Sequence, residues 1–484
     1  MPNRINEHMP LVDALEKYRR RRPIRLHVPG HGGRAPGGLR QWGLAPGWDA
    51  TELEGLDDLH NPGGVIAAAQ EKVAGLFGAR CSFFLVNGAT AGIQALVAAT
   101  CAGGRALVLP RNVHRSVLGG LVISGARPVF LEPEVVPGFG FAAGFGLDQL
   151  EYALRRNKDT GAVLAVHPNY YGVVGDLAGV AGVCRRYGVP LLVDEAHGTH
   201  LRFHPELPED ALALGADAVV QSVHKTGGAL TQAAWLHLGS AKVDWERLAD
   251  ALRLLQTSSP SYILMASLDA ARDFLARCGR EVLDKLLRTA RGAAREIDAL
   301  PGLGTLGEKH LGTLCAAGYD PTRLVVSVRE LGITGYEAAR RLAAEHGIYL
   351  EMADVFNVVA VLSLGTTKSE TDKLVRALAG ISRRPPAGGR LVLTAPAPAC
   401  PPSPPMIITP RRAWLAPRRT VPLEQAAGLV SAEMVAVYPP GMAVIYPGEE
   451  ITPAVVEYLI QVRKSGVHRQ GAADPQLLTV LVVK

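Results

Sequence analysis

Short runs of consecutive apolar residues alternate with helical patterns between residues 66 and 240. Because these runs, apart from His237, carry no polar position for a solvated face, we expect strands buried on both sides. Such strands are typical of a mostly parallel sheet covered by helices, and the pattern therefore predicts the α/β fold class. The runs are residues 106–109, 129–131, 162–166, 191–193, 218–220 and 233–238.

Polar residues follow several of these runs, at the point where each run ends. His114 lies beyond the first run, His167 follows the third, Asp194 follows the fourth, and Ser222 and Lys225 follow the fifth. Open α/β sheets bind ligands at the carboxyl ends of their strands, so we expect these side chains to line one crevice.

The rest of the chain divides by composition. An N-terminal segment, 1–50, contains a predicted helix at 11–21. The sheet-forming part extends over 51–295, and a smaller α/β domain is predicted for 296–384 from apolar and helical patterns at 324–328, 336–345 and 358–364.

A proline-rich stretch follows at 385–422. It holds eleven prolines, which disfavour a regular helix or a central strand, so an extended linker is predicted. Patterns at 423–438 and 453–462 then predict a helical C-terminal domain, 423–484.

Composition and charge narrow the class of protein. With 484 residues, 48% hydrophobic and 20% charged, the chain is expected to fold into several globular domains. No apolar run reaches the roughly 18 residues that span a bilayer, and the first residues lack the apolar core of a signal peptide.

The six cysteines show no close pair, so a cytoplasmic location is predicted. The net charge of +6 comes without interleaved aromatic residues, so no nucleic-acid partner is expected.

Asp194 and Lys225, 31 residues apart, are the two groups that pyridoxal phosphate requires. A lysine forms a Schiff base with the aldehyde, and a carboxylate keeps the pyridine nitrogen protonated. The glycine-rich stretch 86–92 before a predicted helix offers backbone amides to a phosphate. A solvated lysine and an ordinary turn are the alternatives for these features when each is taken alone.

His197, His200 and His204 form a second constellation. Closely spaced histidines can bind zinc. However, His197 already has a place beside Asp194, and a loop after a strand is not the helical scaffold that such ligands use. No metal site is therefore predicted.

Several motifs together resemble the Orn/Lys/Arg decarboxylase major-domain family. They occur in order along nearly the whole chain, and they are Pro-Gly-His at 29–31, Gly-Leu-Asp-Asp-Leu-His at 55–60, Asn-Tyr-Tyr-Gly at 169–172, Asp-Glu-Ala-His-Gly at 194–198, Ser-Val-His-Lys-Thr at 222–226, Ser-Ser-Pro-Ser-Tyr at 258–262, Tyr-Pro-Pro-Gly at 438–441 and Pro-Gly-Glu at 447–449. The resemblance implies the aspartate aminotransferase-like fold (fold type I of pyridoxal phosphate enzymes). The early position of Pro-Gly-His resembles the short, biosynthetic arginine and lysine decarboxylases.

The resemblance also implies roles for single residues. Lys225 would be the Schiff-base lysine and Asp194 the partner of the pyridine nitrogen, while His114 would stack on the cofactor ring. Ala89, Thr90 and Ser222 would bind the phosphate, His197 and His224 would shape the pocket, and Thr257 or Ser258 would reach the phosphate of a neighbouring subunit. A homodimer is then the smallest expected unit, with higher oligomers possible and the active site at the subunit interface.

Two positions depart from the family pattern. Ala89 stands where a second hydroxyl residue is common, and Gly32 follows Pro-Gly-His where a lysine is usual. The first leaves one phosphate contact to a backbone amide, and the second removes a positive charge. Neither is required for the chemistry.

The expected activity is decarboxylation of L-arginine to agmatine and carbon dioxide in polyamine biosynthesis. Lysine or ornithine as substrate, another fold type I enzyme such as an aminotransferase or aldolase, and a catalytically silent regulator are the alternatives, and the intact Lys225 disfavours the last. A buried cationic substrate needs an acidic partner, for which Asp58 and Glu449 are the candidates. His224 or Lys225 is expected to protonate the α-carbon.

Overall fold

The chain divides into two units, each with its own buried core. The first unit comprises Met1–Thr100 and Pro190–Leu283, and the second comprises Cys101–Val189 and Asp284–Lys484. The structure, a computed structural model, describes residues 8–21, 46–312, 314–384, 401–438, 442–465 and 468–484 of these units. The Pro-Gly-His motif at 29–31, with Gly32, and residues 439–441 of the Tyr-Pro-Pro-Gly motif lie outside the described residues.

Helices are numbered along the chain. They are α1 Pro10–Arg20, α2 Val65–Phe77, α3 Gly88–Cys101, α4 Ser116–Ser124, α5 Leu147–Arg156, α6 Leu177–Tyr187, α7 Val223–Thr226, α8 Trp245–Leu255, α9 Tyr262–Asp298, α10 Gly335–His346, α11 Lys368–Ser382, α12 Pro410–Leu415 and α13 Pro453–Ser465. Local sequence explains several starts: Asp176 caps α6, Asp244 caps α8 and Thr334 caps α10 through their side-chain oxygens.

Strands are numbered in the same way. They are β1 Cys81–Leu85, β2 Ala106–Pro110, β3 Arg127–Leu131, β4 Thr160–Val166, β5 Val173–Val174, β6 Leu191–Asp194, β7 Ala218–Gln221, β8 Ala234–Leu238, β9 Gly304–Thr305, β10 Gly318–Tyr319, β11 Arg323–Ser327, β12 Met352–Ala353, β13 Asn357–Val361, β14 Arg418–Pro422, β15 Val435–Tyr438, β16 Met442–Ile445, β17 His468–Gln470 and β18 Thr479–Val483. All six apolar runs of the sequence form strands, as predicted, but β3 is only partly buried, unlike the other five.

The first unit contains four neighbouring strands in the order β1, β8, β7, β6. β6 pairs with β7 in parallel, whereas β8 is antiparallel to both β7 and β1. Every residue of β6, β7 and β8 is buried, including His237 within β8. β1 was not among the predicted strands, although residues 83–86 are also consecutive apolar residues.

The second unit holds β2 between β3 and β4, with both pairs parallel. It also contains a small antiparallel sheet in the order β12, β13, β11, β9, with α10 and α11 close by in the chain. This sheet lies within residues 296–384, for which a small α/β domain is predicted, and the bounds of that domain stay a prediction. Helix α9 ends at Asp298, two residues beyond the predicted start of that domain.

The predicted linker at 385–422 is wrong in the part that the structure describes, 401–422. Residues Pro410–Leu415 form a short helix with proline at its first position, where no intrahelical amide is needed. Residues Arg418–Pro422 form an outer strand that pairs with β18, a place that tolerates proline. This stretch therefore belongs to the C-terminal fold.

The helical C-terminal domain is also only partly correct. Helix α13 confirms the pattern at 453–462, but 423–438 holds a single 3₁₀ turn and strand β15 instead of a helix. Strands β15, β16 and β17 form an antiparallel sheet, and Val435, Val455 and Val482 share one core. Within the described ranges, no helix is both long and apolar enough to cross a membrane.

Candidate active site

Strand register brings three chain segments to one edge of the first unit. Asp194, the last residue of β6, pairs with Val220 of β7. On the other side of β7, Gln221 pairs with Trp235, and the neighbouring Ala234 pairs with Leu85 at the end of β1. The loops that follow β6, β7 and β1 therefore begin at the same edge, as expected for a ligand site in an α/β sheet.

Lys225 lies in α7, the single helical turn that follows β7. Its Nζ is 3.0 Å from Nε2 of His197, which comes three residues after Asp194. Asp194 is buried, and one of its carboxylate oxygens accepts a hydrogen bond from the Ala196 amide at 3.1 Å. The structure thus joins the Lys225 turn to the Asp194 loop.

The glycine-rich turn leads into α3 beside these loops. Gly88 has φ +72°, a left-handed conformation that glycine adopts without strain. At Gly92 a Cβ atom would lie 2.7 Å from Leu85 and 3.1 Å from Val220, so α3 packs closely on β1 and β7. Ala89 and Thr90 lie in the first helical turn, whose amides have no intrahelical partner and suit an anion.

The donor set of this edge fits pyridoxal phosphate. Lys225 supplies the amine, Asp194 the buried carboxylate, and Ser222 a buried hydroxyl at the start of α7. Thr226 Oγ1, next to Lys225, is buried without a hydrogen-bond partner among the described residues. Such an unsatisfied hydroxyl is costly, and an anionic ligand would satisfy it.

Thr257 lies beside the glycine-rich turn of its own chain. Its amide donates to Asn87 Oδ1 at 3.2 Å, and its carbonyl is 2.8 Å from His60 Nε2. Asp58 accepts a hydrogen bond from the His60 amide at 2.8 Å. Both Thr257 and Ser258 are exposed, and the contact of either residue with a neighbouring subunit stays a prediction.

His60 and Asn87 are members of this group that residue-by-residue prediction missed. His60 ends the Gly-Leu-Asp-Asp-Leu-His motif, and Asn87 comes directly before Gly88. The motif was a usable signal for His60. The contact between Asn87 and Thr257 joins residues 170 positions apart, which no local pattern reveals.

His224 and His114 are held by local hydrogen bonds. His224 Nδ1 is 3.1 Å from the Ala233 carbonyl, to which it can only donate. His114 is exposed and belongs to the second unit, where its Nδ1 accepts from the Ser116 amide at 3.2 Å. Stacking of His114 on the cofactor ring stays a prediction.

Glu449 has a different role from the predicted contact with substrate. Its two carboxylate oxygens each lie 2.8 Å from a terminal nitrogen of Arg111, and both side chains are buried. Arg111 also donates to the carbonyls of Ala443 and Val444. Because Arg111 occupies the carboxylate inside the second unit, Glu449 is withdrawn as a substrate-binding residue.

The Arg111 guanidinium is further enclosed by aromatic rings. It lies 4.7 Å from the ring centroid of Phe130 and 5.4 Å from that of Tyr446. Burial lowers the pKa of Arg111, but the hydrogen bonds and charge of the Glu449 carboxylate raise it by more. The pKa of Arg111 therefore lies above its ordinary value. Burial raises the pKa of the Glu449 carboxyl, and the hydrogen bonds and charge of Arg111 oppose that rise.

A buried hydrogen-bonded chain links the four strands of the first unit. Glu195 accepts from Gln221 Nε2 at 2.5 Å, Gln221 Oε1 is 3.1 Å from His237 Nε2, and His237 Nδ1 is 2.8 Å from Ser82 Oγ. Burial, with the charge of Arg202, lowers the pKa of His237 to about 3. The imidazole is therefore neutral at physiological pH.

The histidines of the zinc hypothesis have other partners. His197 contacts Lys225, and His204 Nδ1 accepts from the Glu206 amide at 3.2 Å. Within the residues that the structure covers, no three His, Cys, Asp or Glu side chains are grouped as metal ligands.

Comparison with known proteins decides the family. The model of the Orn/Lys/Arg decarboxylase major domain matches residues 9–305, and that of the C-terminal domain of the same decarboxylases matches 399–471. The chain belongs to the Orn/Lys/Arg decarboxylase family. The C-terminal match begins at 399, in agreement with the corrected fold of 401–422.

Relatives in this family match almost end to end. The chain is 37% identical to an arginine decarboxylase of Bacillus subtilis over 98% of both chains, and 37% identical to one of Halalkalibacterium halodurans over 99% of this chain and 98% of the relative. Among solved structures, the Escherichia coli constitutive lysine decarboxylase aligns with a TM-score of 0.84 at 21% identity, over 99% of this chain and 82% of that chain. The predicted fold is thereby confirmed.

Removing one member of the Arg111–Glu449 pair should destabilise this family member strongly. Glu449→Leu leaves a buried guanidinium without its carboxylate, and we expect the free energy of unfolding to fall by about 3–5 kcal/mol. The measurement is urea unfolding. The double variant Arg111→Met with Glu449→Leu should recover part of this loss.

The half-exposed pair Arg463–Glu424, 2.7 Å apart, provides the matched control. Glu424→Leu should cost less than about 1 kcal/mol, because a solvated ion pair contributes little. Equal losses for Glu424→Leu and Glu449→Leu would contradict the role assigned to burial.

Acid sensitivity should depend on His237. The unfolded chain binds a proton near the ordinary pKa of 6.5 and the folded chain only near about 3. Stability from neutral His237 is therefore fully present above pH 6.5 and lost as the pH falls towards 3, by about 1.4 kcal/mol per unit.

His237→Gln removes the titrating group and retains a donor and an acceptor. Unfolding by urea, measured across this range, should show that the variant loses less stability than the wild-type protein on acidification. A constant difference between the two proteins at all pH values would contradict the prediction.

Proposed function

We propose that the chain decarboxylates L-arginine to agmatine and carbon dioxide with pyridoxal phosphate as cofactor. The observation that carries the proposal is the 37% identity, over nearly the whole chain, to relatives named arginine decarboxylase. The constitutive lysine decarboxylase of Escherichia coli is 25% identical, which favours arginine over lysine. Agmatine is a polyamine precursor, so the reaction belongs to polyamine biosynthesis.

The chemistry that pyridoxal phosphate supplies when bound is an electron sink for the pair released as carbon dioxide leaves. Lys225 would hold the cofactor through a covalent bond from Nζ to the aldehyde. This requires an unprotonated amine, and His197 Nε2, 3.0 Å away, is placed to take the proton.

Asp194 would hold a proton on the ring nitrogen. Its carboxylate is 6% exposed, so little water competes for it and its charge acts strongly at short range. Ser222 and the first-turn amides at Ala89 and Thr90 would hold the phosphate, and His114 would cover the ring.

A proton must be returned to the α-carbon once carbon dioxide has left. His224 donates from Nδ1 to the Ala233 carbonyl, so Nε2 is the basic nitrogen of the neutral ring. His224 through Nε2, and Lys225 through Nζ, are the two groups that we assign to this step.

Asp58 remains our candidate for binding the guanidinium. It is half-buried, and only one of its carboxylate oxygens accepts from the His60 amide. The segment around Asp58 is anchored to the Thr257 segment by two contacts, from Tyr262 to the Asp57 carbonyl and from His60 to the Thr257 carbonyl.

We propose a cytoplasmic homodimer or higher homo-oligomer, with the active site at the subunit interface. The exposure of Thr257 and Ser258 beside the glycine-rich turn supports this arrangement, because both hydroxyls are accessible to a second copy of the chain.

The test is amine and carbon dioxide release by the cofactor-loaded protein, given arginine, lysine and ornithine separately. Agmatine from arginine alone is expected, and Lys225→Ala should lower the rate by more than about 10³-fold. Cadaverine or putrescine as the main product would support decarboxylation but show that lysine or ornithine, and not arginine, is the substrate. No carbon dioxide from any of the three would overturn the decarboxylase.

Asp194→Asn should separate catalysis from folding. An amide cannot hold the ring nitrogen protonated, so we expect kcat to fall by about 10²-fold or more while the folded structure persists. The control is Asp217→Asn, a buried aspartate that accepts from the Leu191 amide at the opposite end of the same strand pair. Equal kcat losses in the two variants would contradict the role of Asp194.

A further inference from the structure

Gln221 lies at a junction of the candidate active site. It is the last residue of β7, directly before Ser222 and four residues before Lys225, and its side chain is completely buried. Its main partner, Glu195, directly follows Asp194 and is also completely buried. The two residues thus connect the strand ends from which Asp194 and Lys225 project.

Both the Nε2 and the Oε1 atom of the Gln221 side chain have hydrogen-bond partners. Nε2 donates to Glu195 Oε2 at 2.5 Å, and Oε1 is 3.1 Å from His237 Nε2. The other Glu195 oxygen accepts from the Ala211 amide at 2.7 Å. A polar chain that is fully satisfied in the core fixes one arrangement, because any shift leaves a buried group unpaired.

The backbone pairing of β6 with β7 ends at this point. The register of β6 with β7 ends at Asp194 opposite Val220, and one further bond joins the Glu195 amide to the Val220 carbonyl. Beyond that point the chains separate into the Asp194 loop and the Lys225 turn. The Gln221–Glu195 contact is therefore a side-chain link placed where the strand ladder stops.

We propose that Gln221 is a positioning residue, whose hydrogen bonds to Glu195 and His237 set the spacing of Asp194 and Lys225 and thereby the affinity for the cofactor. This inference rests on the proposed function, since it assumes pyridoxal phosphate as the ligand. Gln221 itself acts only through its neighbours.

Gln221→Glu is the decisive substitution. It keeps the shape of the side chain, accepts from His237, and replaces the donor facing Glu195 with an oxygen. The two carboxyl groups can remain close only while they share a proton, so the contact should fail as the pH rises. Burial raises the pKa of Glu195 well above its ordinary value, the charge of Asp210 adds to this rise, and the charge of Arg202 opposes it.

The measurement is the dissociation constant of pyridoxal phosphate, titrated by absorbance at about pH 6 and about pH 8.5. We expect Gln221→Glu to weaken binding by about tenfold more at the higher pH, the effect of one pKa unit. The swap Glu195→Gln with Gln221→Glu restores a donor facing an acceptor and should recover wild-type affinity at both pH values.

Gln70→Glu is the matched control, since Gln70 is a buried glutamine of the same unit that lies on α2 instead of at a strand end. It should leave the dissociation constant unchanged at both pH values, even if the thermal midpoint falls. Loss of affinity in Gln70→Glu with the same pH dependence would assign the effect to a buried charge and overturn the proposal.

Two other results overturn the inference. One is wild-type affinity in Gln221→Glu at both pH values, and the other is weak binding by the swapped pair. Weak binding by the swapped pair overturns the inference even if Gln221→Glu alone does not fold. Failure of the wild-type protein to bind the cofactor would instead overturn the proposed function, and the two failures are therefore distinguishable.

Discussion

The parallel pairing of Leu191–Asp194 with Ala218–Gln221 is the constraint on which the candidate site depends. It places Asp194 level with Val220, so that the turn carrying Lys225 begins where the Asp194 loop begins. β8 and β1 come next to β7 in the sheet, and the glycine-rich turn follows the end of β1 at the same edge. A shift of one residue in this register would turn Asp194 to the other face of the sheet and separate it from its partners.

Much of this arrangement follows from the amino-acid order. Strands buried on both faces are mostly apolar, and the six predicted runs all form strands, with the hydrogen-bonded His237 as a buried polar exception in β8. Polar residues at the ends of these strands are conspicuous because a buried strand does not require them, and this is why the sequence indicates Asp194, Ser222 and Lys225 as candidate site residues. β1 was not predicted even though residues 83–86 are apolar, and Ser82 within it is buried as the hydrogen-bond partner of His237.

The errors in prediction have physical causes. Glu449 was assigned to substrate binding because the sequence around an acidic residue does not show which side chain it contacts. Its partner, Arg111, lies 338 residues away. The linker was overextended because proline was counted without regard to position. Proline is compatible with the first turn of a helix and with an outer strand, which are the places where Pro410 and Pro422 occur.

The buried Arg111–Glu449 pair also has a consequence for protein synthesis. A ribosome adds about 5–20 residues per second, so the 338 positions between the two residues take roughly 17–70 s to translate. During this interval Glu449, the carboxylate that Arg111 contacts in the folded protein, has not yet been made. The buried contact between the two side chains can therefore form only after the C-terminal segment has been synthesised.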